Sequence, residues 1–168
     1  MNKNDLRYLK TEKILEESYI ALKKESSKPV KLVDLCNKAM INKTTFYKHY
    51  ETMDDFVAMI QKKTIKNLLG ECKYTGEAFT NTKKTVTELY RVFKEKDEFL
   101  NLIFENDFEK MMNVVEKEVL KIYLKDEDTE ERKLLVKFAI GGASKILTNF
   151  NSPKDIDAAV ALLNKLLK

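Results

Sequence analysis

Residues that favour turns are scarce in this chain, which has four glycines and two prolines in 168 residues. Sheet-rich folds need such residues at short intervals, whereas long helices exclude glycine and proline from their interiors. The content of 35% charged and 43% hydrophobic residues suits amphipathic helices. The sequence therefore predicts an all-α fold and excludes a β-sandwich or a β-barrel.

Apolar runs in the sequence are too short to cross a bilayer. The longest, residues 158–163, has six residues, whereas a transmembrane helix needs about 20. Residues 1–5 include no apolar stretch of the kind that a secretory signal carries. Cys36 and Cys72 lack the spacing of a zinc site or of a disulfide framework. We expect a cytoplasmic protein with reduced cysteines, no membrane partner, no metal and no other cofactor.

The sequence offers little for catalysis. His49 is the only histidine, and the chain has no GxGxxG, P-loop, HExxH or GxSxG motif. No pattern pairs a nucleophile with a general base. We therefore expect no enzymatic activity and no catalytic residue.

The spacing of apolar residues predicts a succession of helices. The first four are expected over residues 5–26, 32–39, 43–50 and about 53–70, and later stripes predict helices around residues 86–93, 108–122, 135–150 and 156–167. The second and third are short and are joined by three residues, which is a helix-turn-helix arrangement. Asn42 is a suitable N-cap for the third helix, and Thr52 with Asp55 resembles a capping box at the start of the fourth.

Positive charge is concentrated in the N-terminal part of the chain. Residues 1–66 hold 14 basic against 9 acidic residues, a net charge of +5, whereas residues 67–168 hold 17 against 18, a net charge of −1. A basic module joined to a near-neutral one is typical of a protein that binds a polyanion through one domain, although a solvated surface can reach the same charge.

The third predicted helix has two different faces. At about 100° per residue, Thr44, Tyr47 and Lys48 share one side of it, while Phe46 and Tyr50 point to another as an aromatic anchor. Such a helix fits the major groove of DNA. There Lys43 can donate to guanine, and the Thr44 methyl and Tyr47 ring can meet a thymine methyl.

Residues 30–50, VKLVDLCNKAMINKTTFYKHY, resemble the DNA-binding region of the TetR family of bacterial transcription regulators. The likeness is strongest in NKTTFYKHY followed by an acidic helix start. It implies a helix-turn-helix domain of three helices over residues 1–52, and a helical ligand-binding and dimerisation domain over residues 53–168 whose first helix links the two. It also implies a ligand-responsive repressor that binds a palindromic operator as a homodimer.

The resemblance also assigns DNA contacts. In the family, the positions of Thr45, Tyr47 and His49 meet the phosphate backbone, and Lys31 stands where a serine or threonine usually holds a phosphate. With the base-reading positions, the predicted DNA-binding residues are Lys31, Asn42, Lys43, Thr44, Thr45, Tyr47, Lys48 and His49.

Two further positions depart from the family pattern. Met40 replaces the glycine usual in the turn, so either a residue with a Cβ takes the conformation that glycine tolerates best, or the turn differs. Met53 replaces the lysine usual near the start of the fourth helix. Weaker anchoring to the DNA backbone is expected there.

The C-terminal part offers two candidate sites. Aromatic and methionine side chains can line a pocket for a small apolar or aromatic ligand or can equally form the core; these are Tyr90, Phe93, Phe104, Phe108, Met111, Met112, Tyr123 and Phe138. Small and apolar residues of the last two helices form a candidate dimer interface or pack within the monomer; these are Gly142, Ile146, Phe150, Ala159, Leu163 and Leu166. An alternative function keeps the fold: a helical adaptor or co-activator that acts mainly through a protein partner.

Overall fold

The computed structural model describes residues 6–73, 81–125 and 128–149, together with residues 157, 158, 160, 161 and 165. Side chains are described at all of these positions except 82, 123 and 143–149. The main helices are α1 (Leu6–Glu25), α2 (Leu32–Lys38), α3 (Lys43–Tyr47), α4 (Met53–Glu71), α5 (Thr82–Glu95), α6 (Asp97–Phe104), α7 (Phe108–Tyr123) and α8 (Glu130–Asn149). The described chain is all-helical, which confirms the predicted fold class. None of its helices combines the length and the apolar character needed to span a bilayer.

The chain divides into two compact units. Unit 1 is Met1–Gln61 and unit 2 is Lys62–Lys168, so the division falls within α4, the helix predicted to link the two parts. In unit 1, α1 packs against α2 and α2 packs against α3. In unit 2, each of the helices from α5 to α8 packs against its neighbour in sequence.

Side chains close the first turns of α3 and α4. Asn42 Oδ1 accepts a hydrogen bond from the backbone N–H of Thr45 at 2.7 Å, which confirms it as the N-cap of α3. At α4, the Thr52 N–H donates to Asp55 Oδ2 at 3.0 Å and the Asp55 N–H donates to Thr52 Oγ1 at 3.1 Å. This reciprocal pair is the predicted capping box, with aspartate in the acidic position.

An aromatic cluster forms the core of unit 1. The Phe56 ring of α4 lies 5.8 Å from Phe46 and 5.0 Å from Tyr50, centroid to centroid, with interplanar angles of 72° and 67°. Tyr19 of α1 meets the same ring edge-on at 5.5 Å. Phe46 and Phe56 are fully buried and Tyr50 is 8% exposed. The prediction that Phe46 and Tyr50 anchor the third helix is confirmed.

The turn between α2 and α3 takes a left-handed backbone conformation at Met40, where φ is 53°. The Ile41 N–H donates to the Cys36 carbonyl at 3.0 Å and the Met40 N–H donates to the Asn37 carbonyl at 3.2 Å. These two bonds form a Schellman motif, in which the left-handed position is usually glycine. A residue with a Cβ does take this conformation here, at a cost of about 1 kcal/mol.

Among the described side chains of unit 2, each helix from α5 to α8 buries one to three apolar residues. Val86 and Val92 are buried on α5, where the predicted stripe of Leu89, Tyr90 and Phe93 is half-buried. The fully or nearly fully buried residues of the next three helices are Leu100, Ile103 and Phe104 on α6, Met111 and Val115 on α7, and Val136 on α8. Helix α6 was not predicted as a separate element, and it follows α5 after the single residue Lys96.

Two neighbouring aromatic residues of α3, one buried and one exposed, test how much the described core contributes to stability. Phe46→Ala removes a fully buried ring and is expected to lower the free energy of unfolding by about 3 to 5 kcal/mol. Tyr47→Ala removes a ring that is 56% exposed and should cost about 1 kcal/mol or less. Urea denaturation followed by far-ultraviolet circular dichroism measures both. If Phe46→Ala does not fold, Phe46→Leu replaces it, and equal losses at residues 46 and 47 would contradict the described core.

Candidate nucleic-acid interface

Helix α3 presents a continuous exposed surface made of short polar, basic and aromatic side chains. Lys43, Thr44 and Lys48 are exposed, and Tyr47 is 56% exposed. The opposite side of the same helix carries Phe46, which is fully buried. The predicted base-reading residues Lys43, Thr44 and Tyr47 therefore share one accessible surface with Lys48, another predicted DNA contact. We call these four residues the α3 surface.

Two other predicted contact residues are engaged in capping α3. Thr45 Oγ1 donates to Asn42 Oδ1 at 2.8 Å, and the same oxygen accepts the Thr45 backbone N–H. The Thr45 hydroxyl hydrogen is thus directed to its own helix and not outward to a phosphate. Asn42 and Thr45 act here on the local structure of the α3 surface, because they fix where the helix begins.

His49 lies inside unit 1, in contrast to its predicted place at the DNA backbone. Its side chain is 2% exposed, and its ring stacks on Tyr8 of α1 with centroids 4.0 Å apart. Nδ1 lies 3.9 Å from Glu12 Oε1, beyond hydrogen-bonding distance, and has no hydrogen-bond partner among the described residues. The imidazole therefore packs on α1 just beyond the C-terminal end of α3, with Nδ1 buried.

Glu12 brings together the polar groups around His49. Its Oε1 accepts a hydrogen bond from the Tyr50 hydroxyl at 3.1 Å. Burial, with the nearby Glu12 carboxylate, raises the pKa values of Tyr8 and Tyr50 above the ordinary tyrosine value, so both hydroxyls stay protonated. Burial lowers the pKa of His49, and the Glu12 charge opposes this effect only in part. Sequence reasoning missed this cluster because Tyr8 and Glu12 are about 40 residues away from His49.

Helix α2 carries a basic residue at each end, Lys31 and Lys38. Lys31 is exposed at the N-cap of α2 and makes no side-chain capping bond. Lys38 Nζ pairs with Glu25 Oε1 of α1 at 2.7 Å. Burial raises the pKa of the Cys36 thiol, and the positive charge of Lys43 opposes that rise. The Lys43 charge therefore affects a residue in the C-terminal half of α2.

The predicted ligand-pocket residues of unit 2 differ in their burial and their surroundings. A shallow groove of about 270 Å³ between α7 and α8 includes two of them, Phe108 and Met112. Phe104 and Met111 are buried, Tyr90 and Phe93 are half-buried, and Phe138 is 62% exposed on α8. The groove is lined by Phe108, Glu109, Met112, Asn113, Glu116, Ile140 and Gly141. The side chain of Tyr123 lies outside the described residues.

Most of the predicted dimer residues fall outside the described part of the chain. This holds for Phe150, Ala159, Leu163, Leu166 and the side chain of Ile146. Gly142 is exposed, and a Cβ built on it would meet no atom within 4 Å. Leu134 is 65% exposed and Phe138 62%; with Gly142 they lie at helical spacing on α8, and this α8 surface was not predicted from the sequence.

Metal ligands do not cluster in the described residues. In the ranges given above, no group of three or more histidine, cysteine, aspartate or glutamate side chains could hold a metal ion. Both cysteines are buried, and no disulfide joins them.

Comparisons with known proteins add nothing to this geometry. The chain matches no protein-family model, no curated protein and no solved structure. Its function is therefore inferred from the α3 surface and its surroundings.

The pKa of His49 provides a test of the interior of unit 1. The unfolded chain takes up this proton near pH 6.5, but the folded chain does so only at lower pH. The stabilising contribution is therefore complete above about pH 6.5 and is lost as the pH falls through the folded-state pKa. Because His49 is the only histidine, one imidazole signal in an NMR titration reports the folded-state pKa directly.

His49→Gln is the control for that titration, since glutamine does not titrate. Just below pH 6.5, its unfolding free energy should fall less steeply with decreasing pH than that of the parent protein, because the His49 contribution is gone. A measured pKa of His49 at or above the ordinary value would contradict the buried, stacked position.

Proposed function

We propose that this chain is a sequence-specific DNA-binding transcription regulator of the TetR type that reads an inverted-repeat operator as a homodimer. The observation that carries the proposal is the division of α3 into a buried aromatic side and an exposed side. Phe46 is fully buried while Tyr47 is 56% exposed, so the helix is fixed by one side and free to make contacts with the other. A recognition helix in the major groove needs both properties.

The chemistry of the α3 surface suits base edges. Lys43 and Lys48 supply ammonium donors for guanine acceptors or phosphates, and Thr44 and Tyr47 supply apolar groups together with hydroxyls. Residues 1–66 carry a net charge of +5, which favours association with a polyanion at low salt. Because the loop before α3 is short, it leaves the N-terminal residues of the helix accessible. Recognition helices commonly contact bases through these residues.

The α8 surface supports the homodimer in this proposal. Leu134 and Phe138 are mostly exposed apolar side chains one turn apart, and Gly142 follows one turn later with open space above it. An exposed apolar stripe with a glycine allows the same helix of a second copy to approach closely. A two-fold dimer would present two α3 surfaces to two half-sites, which accounts for an inverted repeat.

A small apolar ligand is part of the same proposal. The groove between α7 and α8 combines Phe108, Met112 and Ile140 with the polar side chains of Glu109 and Glu116. Its 270 Å³ lies at the lower end of the volumes that small-molecule sites have. Because α8 borders this groove and also carries the α8 surface, a ligand there would change the helix on which the dimer depends and so relieve repression.

The test is selection from random duplex DNA, followed by affinity measurements for the parent protein and for the double variant Thr44→Ala/Tyr47→Ala. We expect an inverted repeat, with log K falling by about 0.9 per phosphate contact for each unit of log salt. The double variant should lose at least about tenfold in affinity for the repeat over random DNA, since a good base contact contributes about 1 to 3 kcal/mol.

The matched control removes the same two side chains at the same spacing on α5, as Thr87→Ala/Tyr90→Ala. This control should keep the preference for the repeat, because its positions lie in unit 2. Failure to enrich any sequence, with binding lost at moderate salt, would overturn the regulator and favour an adaptor that works through protein partners. An unchanged preference in the α3 variant would also overturn the proposal.

The dimer has a separate test. Phe138→Glu places a charge in the α8 surface and is expected to weaken self-association at least about tenfold in sedimentation equilibrium. Lys137→Glu introduces the same side chain about 100° around the helix and should leave the dimer intact. A monomeric parent protein, or a dimer that Phe138→Glu does not weaken, would contradict an interface at this surface.

A further inference from the structure

Met40 is the most exposed large apolar side chain among the described residues, at 93%. It lies in the turn between α2 and α3. A methionine contributes to stability mainly through the apolar surface that it buries, and this one buries almost none. Packing within the chain therefore does not explain why methionine occupies this position.

The backbone conformation at position 40 also disfavours methionine. Met40 is the left-handed residue of the Schellman motif, with φ at 53°. Glycine adopts this conformation without the steric conflict that a Cβ creates. A glycine here would form the same two backbone hydrogen bonds, so methionine is disfavoured in the isolated chain on both counts. An unfavourable backbone conformation with no compensating contact is a reason to look for a bound partner.

The surroundings of Met40 indicate the charge of that partner. Residues 35–50 include three lysines and no acidic residue. Lys38 is held by Glu25 of α1, whereas Lys43 and Lys48 belong to the exposed α3 surface. These two lysines favour an anionic partner at this turn, and the neutral thioether of Met40 favours one that also offers an apolar group.

Met40 is close enough to α3 to contact a base next to those that α3 would face. Met40 and Lys43 are three positions apart in the chain, so their Cα atoms lie at most about 11 Å apart. That distance corresponds to about three base steps of DNA. Within the major groove, the apolar group on a base edge is the C5 methyl of thymine.

We propose that Met40 is a specificity-determining residue, whose thioether side chain contacts the methyl group of a thymine beside the bases read by α3. The inference rests on the proposed function and deepens it, because it predicts a thymine preference in each half-site. The left-handed turn directs Met40 outward. The contact with DNA supplies the apolar burial that the free protein lacks.

The experiment uses the duplex that selection yields, with each thymine replaced in turn by deoxyuridine, which removes only the methyl group. At one thymine in each half-site, we expect the parent protein to lose about fourfold in affinity, the loss expected for one buried methyl group. Met40→Gly should bind both duplexes with equal affinity, because its contact with the methyl group is already gone. At the remaining positions the parent protein and the variant should respond alike.

Glu105→Gly is the matched control, because Glu105 is also exposed and left-handed, with φ at 57°, but lies in unit 2. It should show the same response to deoxyuridine as the parent protein. If every deoxyuridine substitution affects the parent protein and Met40→Gly equally, the role of Met40 is overturned. The same holds if Met40→Gly binds the operator as tightly as the parent protein, which would leave an acidic protein as the partner of this turn.

The two proposals fail in different ways. If no duplex is enriched, or if Thr44→Ala/Tyr47→Ala retains full preference, the DNA-binding function fails and the role of Met40 fails with it. If that double variant loses its preference while Met40→Gly shows an unchanged response to deoxyuridine, only the role of Met40 is overturned.

Discussion

Phe56 packs against Phe46, Tyr50 and Tyr19, and this aromatic cluster holds α3 in place. A helix of five residues is far below the length at which an isolated helix is stable in water. The position of α3 therefore depends on tertiary packing. Because Phe56 belongs to α4 and Tyr19 to α1, one cluster ties three helices together and sets the direction in which the exposed side of α3 points.

The capping groups and His49 hold α3 in place together with the aromatic cluster. Asn42 and Thr45 fix the first turn of α3 through local hydrogen bonds, and His49 packs the far end against Tyr8. Three of the residues predicted to contact DNA, Asn42, Thr45 and His49, thus also support the structure of α3. The exposed side chains of the α3 surface take no part in this capping, and only Tyr47 packs on the core, where its ring meets Phe46 edge-on at 5.6 Å.

Sequence periodicity identified elements whose determinants lie close together along the chain. The cap at Asn42, the box at Thr52 and the two sides of α3 depend on residues within about four positions of each other, so local spacing was sufficient. The position of His49 depends on its contact with Tyr8, which is distant in the sequence. No local pattern in a single sequence indicates such a contact. Helix α6 was missed because Lys96, the only residue between α5 and α6, is neither glycine nor proline.

In unit 2, periodicity shows that a helix is amphipathic without showing what covers its apolar side. On α8, Val136 is 2% exposed, whereas the equally apolar Leu134 and Phe138 are more than half exposed. The sequence alone assigned Phe138 to a ligand pocket or to the core, because aromatic residues usually line cores or cavities. Helix α8 packs on α7. One side of α8, with Val136, is buried in the structure, and the side with Leu134 and Phe138 is exposed. The same separation holds at α3: each helix uses one side for stability and leaves the other for association, so substitutions on the outer side can change binding with little effect on folding.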